Sequence, residues 1–210
     1  MKKHERVILC LVFAQVILFF VLHRVHLQAK SAVVKPAEPI NVLPATLIGD
    51  ETQLLGNVHG MYTLVEFGDY QCPPCAQMSV QVKSLLTEHP YELRFRFRHY
   101  PLPMHHYSMD CALIGEEARA LGHFWEVHDR LYDLKTQVSP DQVTKALTPL
   151  KLDFTRLSDR QKNEARKRVQ DDIKLADSCS LDATPTFLLC CPDGRVLKLG
   201  ALSQVETLLN

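Results

Sequence analysis

Two cysteines that follow directly after an apolar stretch constrain the fold of this chain more than any other feature. Residues 61–70, MYTLVEFGDY, are rich in β-branched and aromatic side chains and predict a buried strand. Cys72 and Cys75 come next, in the sequence CPPC, and residues 76–89 then carry apolar side chains at helical spacing. The pattern therefore predicts a strand that leads through two thiols into a helix.

The position of the two thiols at a helix start predicts a redox couple. Free backbone N–H groups and the positive end of the helix dipole stabilise a thiolate at Cys72. Cys75 lies one turn later on the same helix face, so the two sulfurs are close enough to form a disulfide. Pro73 suits a first helical turn. Pro74 removes an N–H group that would otherwise point at the Cys72 sulfur, so we expect a less oxidising couple than a donor-bearing residue would give.

Glu66 and the segment ATPTF are the other candidate site features. Glu66 lies within the apolar strand, and burial would raise the pKa of its carboxyl group so that it exchanges a proton with Cys75. The alternative is a strand residue that faces solvent. Residues 183–187, ATPTF, precede another apolar strand, and an X-Pro bond at such a place is cis in some proteins. Spacing alone identifies this segment only as a turn.

The N-terminal segment predicts a location outside the cytoplasm. Residues 7–22 are apolar except for Gln15, a length between that of a signal-peptide core and that of a comfortable membrane span. We expect an uncleaved membrane anchor within residues 1–27, with secretion after signal cleavage as the alternative. The basic residues before it predict that the following domain lies outside. Residues 28–45 contain three prolines and predict an extended linker.

Composition excludes some classes of function. The chain has 24 basic and 24 acidic residues among 210, and this balance argues against nucleic-acid binding. Seven cysteines favour an oxidising compartment. A zinc site needs a second pair of ligands besides CPPC, and Cys190 and Cys191 point to opposite faces of a predicted strand. We therefore expect no metal site.

Three segments together resemble the DsbA-like branch of the thioredoxin superfamily: FGDYQCPPC, GHFWEVHDRLYD and ATPTF. The resemblance covers about residues 46–210. It implies an α/β thioredoxin fold with an all-helical insertion at about residues 105–180. The apolar run of residues 7–22 adds the expectation of one N-terminal transmembrane or signal helix before this domain. Pro-Pro between the cysteines is unusual for this branch, which leaves the direction of electron flow open.

The resemblance also implies roles for five residues. Cys72 would be the attacking thiol, Cys75 the resolving thiol and Glu66 the buried acid. Pro185 would be a cis-proline beside the active site, and Thr184 would contact the cysteines and the substrate backbone.

Further cysteines flank the expected insertion. Cys111 lies at its start and Cys179 at its end, so a disulfide between them would clasp the insertion to the core. The alternative is a pair of buried free thiols.

These features predict a thiol–disulfide oxidoreductase of a bacterial cell envelope, on the periplasmic side of the inner membrane. It would form disulfides in cysteine-containing extracytoplasmic proteins and need no bound cofactor, because sulfur carries the chemistry. Its redox partner would be a membrane protein, either a quinone-linked oxidase or a thiol reductant. One alternative is a reductase or isomerase that a membrane electron donor keeps reduced. Another is a thioredoxin-fold module that binds a metal through CPPC.

Overall fold

The computed structural model describes residues 34–50, 53–135 and 137–209, with Gln15 alone in the N-terminal segment. The expected membrane anchor, residues 1–27, otherwise lies outside the described residues. No helix in the described ranges has the length and apolar character needed to cross a membrane. Residues 36–210 form a compact unit of their own, and the fold below belongs to that unit.

A mixed sheet forms the centre of the described chain. Its strands are β1 (Glu38–Ile40), β2 (Leu55–Gly56), β3 (Tyr62–Gly68), β4 (Leu93–His99), β5 (Thr186–Cys190) and β6 (Val196–Lys198). The spatial order is β1-β6-β5-β3-β4-β2. Only the β3–β4 pair is parallel among these, and β5 pairs with β3 in the antiparallel direction. The strand predicted before the two cysteines is thus a central strand with neighbours on both sides.

Helices cover the sheet and form the insertion. They are α1 (Pro44–Ile48), α2 (Pro73–Glu88), α3 (Ser108–Ala120), α4 (Phe124–Asp133), α5 (Pro140–Leu147), α6 (Asp159–Ser178) and α7 (Gln204–Leu209), with short 3-10 turns at Thr148–Leu150 and Phe154–Arg156. Helices α3 to α6 occupy the stretch where the resemblance implied a helical insertion. The parallel β3–β4 connection runs through α2, as the sequence pattern predicts.

Two apolar clusters pack on the two faces of the sheet. Successive side chains of a strand point to opposite faces. Leu64 accordingly belongs to one cluster, with residues of α2, α3 and α4, while Val65 and Phe67 belong to the other, with Leu47 of α1 and Ala176 of α6. Because both faces are covered, the central strands are buried on both sides.

Because both faces of the sheet are covered, the arginine side of β4 is less exposed than its sequence pattern predicts. The alternation of apolar residues with arginines predicts one buried face and one face in solvent. Arg96 is nevertheless only 5% exposed, and its Nη1 donates to the backbone oxygen of Asp50 at 2.8 Å. The arginine face of β4 lies under other parts of the chain rather than in water.

The segment expected to be a linker, residues 28–45, joins the sheet in part. Strand β1 lies within it and pairs with β6 through Pro39 and Leu197. Pro44 begins α1, whose Leu47 is fully buried. The compact unit therefore begins before the expected boundary at residue 46.

Candidate active site

Cys72 lies at the junction between the central strand and helix α2. It is the N-cap residue, with Pro73 in the first helical turn, as predicted. A turn precedes it, in which the Cys72 backbone N–H donates to the Asp69 carbonyl at 3.1 Å. Cys72 is 4% exposed and Cys75, one turn later, is 0% exposed. Both are free thiols, so the structure shows the reduced form of the pair.

The surroundings of Cys72 favour its thiolate. The hydrogen bond from Cys75 is the main cause that lowers the pKa of Cys72, to about 6, while burial acts in the opposite direction. The Cys72 thiol donates to the Thr184 carbonyl at 3.2 Å. The buried Thr184 hydroxyl has no hydrogen-bond partner by geometry, but its proximity helps to lower the pKa of Cys72.

Cys75 has the opposite character. Burial is the main cause that raises the pKa of its thiol far above the usual range, and its hydrogen bond to Cys72 and the charge of Glu66 add to this. The two sulfurs of one motif are thus a stabilised thiolate and a thiol that holds its proton.

Glu66 is fully buried in β3, as the sequence predicts. Its two carboxyl oxygens have no hydrogen-bond partner by geometry. Burial, followed by the charge of Cys72, raises the pKa of Glu66 to about 8, while the nearby Tyr132 hydroxyl acts to lower it. Glu66 therefore carries a proton at neutral pH, close to the buried sulfur of Cys75.

Gly68 gives this carboxyl group its space. A Cβ atom at Gly68 would lie 2.8 Å from Glu66 Oε1 and 2.8 Å from the Tyr132 hydroxyl, and it would clash with a ring carbon of Phe97. All three groups converge on one position at the end of β3. A side chain at this position would displace the buried acid or the ring beside it.

Aromatic rings enclose the buried acid, and no local sequence pattern directly predicts their arrangement. Tyr70 packs against Phe97 and Tyr132 with ring centroids 5.4 and 4.9 Å apart. The Tyr70 hydroxyl lies 3.1 Å from Nδ1 of His128. Burial lowers the pKa of His128, so this ring is a neutral member of the cluster. The helical spacing of His128 and Tyr132 in FWEVHDRLY is the one sequence feature that could have indicated a shared face.

Asp69 is a further residue of the site that the sequence analysis did not predict. Its carboxylate is buried at the end of β3 and accepts hydrogen bonds from the backbone N–H of Gln71 at 2.8 Å and of Leu102 at 2.8 Å. The ring of His105 lies 2.7 Å away through Nδ1. An acidic residue three positions before the first cysteine is the available signal, although its partners lie about 30 residues further along the chain.

Thr184 and Pro185 lie beside Cys72 because of the sheet pairing. Phe67, near the end of β3, pairs with Thr186 at the start of β5. The preceding residues of the β5 segment consequently reach the turn that carries Cys72. The Thr184–Pro185 peptide bond is cis, as the resemblance implied.

Cys111 and Cys179 are not joined in the structure. Both are free thiols, and they pack in the two different clusters on opposite faces of the sheet. The expected clasp across the insertion is therefore not formed, because the sheet separates its two ends. Cys190 is buried and Cys191 is partly exposed, and both are free as well.

The described ranges of the chain contain no group of three or more His, Cys, Asp or Glu side chains suited to hold a metal ion.

The sequence comparison assigns the chain to a family. A family model described as Thioredoxin matches residues 49–207, which is more than half of the chain. The chain belongs to this thioredoxin family. The matched range contains both cysteines, Glu66 and the cis-proline segment, and it leaves out the N-terminal segment.

Solved structures narrow the assignment. A thioredoxin-like oxidoreductase from Silicibacter pomeroyi is 25% identical, with a TM-score of 0.65, over 79% of this chain and 95% of that one. Pseudomonas aeruginosa DsbA2 is also 25% identical, with a TM-score of 0.57, over 75% and 93%. The catalytic domain of Proteus mirabilis ScsC shares the fold at 20% identity, with a TM-score of 0.64, over 79% and 91%. The chain is therefore similar in sequence and in fold to thiol–disulfide oxidoreductases of the DsbA-like branch.

Curated relatives include much longer proteins. The Na(+)/H(+) antiporter NhaA 1 of Salinispora arenicola is 34% identical over 145 residues, which is 67% of this chain and 22% of the antiporter. NhaA 3 of Salinispora tropica is 32% identical with the same coverage. The chain thus spans about a fifth of the length of these relatives.

Proposed function

We propose that this protein introduces disulfides into other proteins on the outer side of a bacterial cytoplasmic membrane. The observation that carries the proposal is the asymmetry of the pair, with the pKa of Cys72 lowered to about 6 and that of Cys75 raised. A stabilised thiolate stabilises the reduced form of a CxxC pair, and a stable reduced form makes the disulfide a better oxidant. The CPPC pair is expected to accept electrons readily from substrate thiols.

The exchange begins with the oxidised pair. A substrate thiolate attacks the Cys72 sulfur, the Cys72–Cys75 bond breaks, and a mixed disulfide forms between the substrate and Cys72. Cys75 leaves as a thiolate. Because that thiolate is buried and unfavourable, it takes up a proton, and the Glu66 carboxyl group is the buried acid available to donate it.

A second substrate thiolate completes the reaction. It attacks the substrate sulfur of the mixed disulfide, and Cys72 leaves as its stabilised thiolate. The substrate has then lost two electrons and gained a disulfide, and the enzyme has gained two electrons as the Cys72–Cys75 dithiol. Reoxidation of that dithiol needs an external acceptor. We propose a membrane redox partner for this step, such as a quinone-linked oxidase.

Substrate binding is proposed beside the cis-proline segment. Thr184 and Pro185 adjoin the reactive sulfur and precede the first paired residue of β5. An extended substrate peptide would lie along this segment, and the cysteine of the peptide would then face Cys72. The N-terminal apolar run supports an anchored or secreted protein, and this location is part of the proposal.

The reduction potential of the Cys72–Cys75 couple tests the proposed direction. A thiolate with a pKa of about 6 lies between the examples of thioredoxin, at about 7, and DsbA, at about 3.5. We therefore expect a potential between about −270 mV and about −120 mV, more oxidising than that of thioredoxin but in the half of the range nearer to it. Equilibration with glutathione buffers, read by mass spectrometry, measures it on the full chain.

A matched control isolates the active pair from the other cysteines. A protein with Cys10, Cys111, Cys179, Cys190 and Cys191 changed to Ala should retain the same potential, and the further change Cys75→Ser should abolish the couple. A potential near −270 mV would favour the alternative of a reductase kept reduced by a membrane donor. The absence of a reversible couple would contradict the assignment of this pair as the redox centre.

A further inference from the structure

The loop that precedes helix α3 is fastened to the turn that carries the reactive cysteine. Asp69 begins this turn, and its carboxylate accepts the backbone N–H of Leu102 at 2.8 Å as well as a hydrogen bond from His105 Nδ1 at 2.7 Å. The side chain of Gln71, in the same turn, accepts a hydrogen bond from the backbone N–H of Tyr107 at 2.5 Å. Residues on both sides of His105 thus contact the turn before Cys72.

The charge of Asp69 opposes the reactive thiolate. Asp69 acts to raise the pKa of Cys72, and it has the same effect on the thiol of Cys111 and the phenol of Tyr132. A buried carboxylate this close to a catalytic sulfur is unfavourable for the thiolate unless a donor or cation offsets it. The side chain of Asp69 is 0% exposed, so water does not supply that offset.

His105 is the side chain placed to offset this charge. Its ring is 21% exposed, so one edge reaches solvent while Nδ1 faces Asp69. The other two hydrogen bonds to Asp69 come from neutral backbone N–H groups. Cys72 also interacts with Cys75 and Glu66, but the hydrogen bonds recorded for the Asp69 carboxylate go to neither of them. The Cys75 thiol interacts with the backbone of Asp69 instead.

We propose that His105 is a positioning residue for disulfide exchange, which acts through Asp69 to stabilise the Cys72 thiolate. The Nδ1–H group of His105 withdraws negative charge from Asp69 and orients the carboxylate towards the loop rather than towards the sulfur. The reactivity of Cys72 is thereby linked to a histidine 33 positions later in the chain. This inference rests on Cys72 being the attacking thiol of the proposed function.

The test is the pKa of Cys72 in single variants, measured by the ultraviolet absorbance of the thiolate in the full chain. We expect His105→Ala to raise this pKa by about 0.5 to 1 unit, since Asp69 is then less offset. His105→Asn places an amide N–H near the position of Nδ1 and should restore at least half of the shift. The neighbouring His106 is exposed, and His106→Ala should leave the pKa unchanged.

Asp69→Asn separates charge from packing. It removes the negative charge, so we expect the pKa of Cys72 to fall, opposite in sign to the effect of His105→Ala. A merely structural role would loosen the turn in both variants and raise the pKa in both. Equal pKa values in His105→Ala and the unmodified protein, or shifts of the same sign in both variants, would overturn the proposal.

The outcome for the unmodified protein separates this inference from the proposed function. If its Cys72 shows no depressed pKa, the proposed function loses its supporting observation. If the depressed pKa is present but insensitive to His105, only the role of His105 is refuted. The reduction potential gives an independent reading, because a higher thiolate pKa should make the couple less oxidising in His105→Ala.

Discussion

At the scale of single residues, Glu66 combines a cost in stability with the role in proton transfer that is proposed for it. Its carboxyl group has no hydrogen-bond partner and is fully buried, and its pKa is raised to about 8. In the unfolded chain the pKa is near 4.5. Between these two values the folded protein holds a proton that the unfolded chain has released, so stability falls as the pH rises through this window.

Glu66→Gln is expected to remove this pH dependence. Near pH 4 the variant and the unmodified protein should have the same free energy of unfolding. Above pH 8 the free energy of unfolding of the variant should be higher than that of the unmodified protein by about 2 to 4 kcal/mol. Urea unfolding of both proteins in the reduced state, from pH 4 to pH 9, measures the difference. Glu164→Gln, at an exposed position of α6, should follow the unmodified protein throughout. A constant difference across the pH range would contradict the raised pKa.

The residues that the sequence predicts at the site are those with local signals. Cys72 and Cys75 are recognisable from their spacing at a strand–helix junction, and Glu66 from its place within an apolar strand. Asp69 and Tyr132 act through partners far along the chain, so no local pattern reveals their role. The space at Gly68 is a property of three converging side chains, which only the folded chain contains.

At the scale of elements, helix α6 of the insertion is tied to the sheet by a buried ion pair. Arg98 of β4 donates from Nη1 to Asp172 Oδ1 at 2.6 Å, and the other carboxylate oxygen accepts the backbone N–H of His99 at 2.9 Å. The side chains of Arg98 and Asp172 are 11% and 6% exposed. This attachment lies at the end of β4, next to the aromatic cluster around Glu66.

Asp172→Ala should be strongly destabilising. The change removes the carboxylate that accepts hydrogen bonds from the Arg98 guanidinium and the His99 backbone N–H. Removing one partner of such a buried ion pair lowers the free energy of unfolding by about 3 to 5 kcal/mol. Asp171 is the adjacent control, since its carboxylate pairs with Lys167 on the exposed face and is 48% exposed. Asp171→Ala should change the free energy of unfolding by less than about 1 kcal/mol. Similar unfolding midpoints in urea for the two variants would show that the ion pair between Arg98 and Asp172 contributes little to stability.

Periodicity predicts the elements of this chain better than it predicts their contacts. The alternation of β4 and the helical face of α2 are both present, because each depends on residues close in sequence. The same alternation predicts an exposed arginine face, whereas α1 and α6 cover that face. Covering elements that come from distant parts of the chain leave no periodic trace in the strand they cover.

At the scale of the whole molecule, the boundary of the folded unit lies further towards the N-terminus than composition suggests. The three prolines in residues 28–45 predict an extended linker over the whole of this segment. Pro39 is nevertheless compatible with a strand at the sheet edge, since one side of an edge strand needs no N–H donor. β1 occupies such an edge, and Ile40 packs against the cluster around Val65.

A protein comprising residues 36–210 should therefore be more stable than one comprising residues 46–210. The shorter protein lacks β1 and the first turn of α1, which exposes the edge of β6. We expect a loss of about 2 kcal/mol, or a fall in Tm of about 4 to 8 °C. Thermal unfolding followed by circular dichroism compares the two proteins directly. Equal Tm values would mean that β1 does not contribute to the folded unit.

The unequal burial of the two sulfurs has a consequence for the regiochemistry of the enzyme. A disulfide bond offers an incoming nucleophile two chemically equivalent ends, and a free peptide disulfide would yield two isomeric adducts. Here Cys75 is enclosed completely while Cys72 retains a small exposed surface next to Thr184. The fold thereby makes only one sulfur of the disulfide accessible to an incoming thiolate, so that every mixed disulfide is expected to form at Cys72.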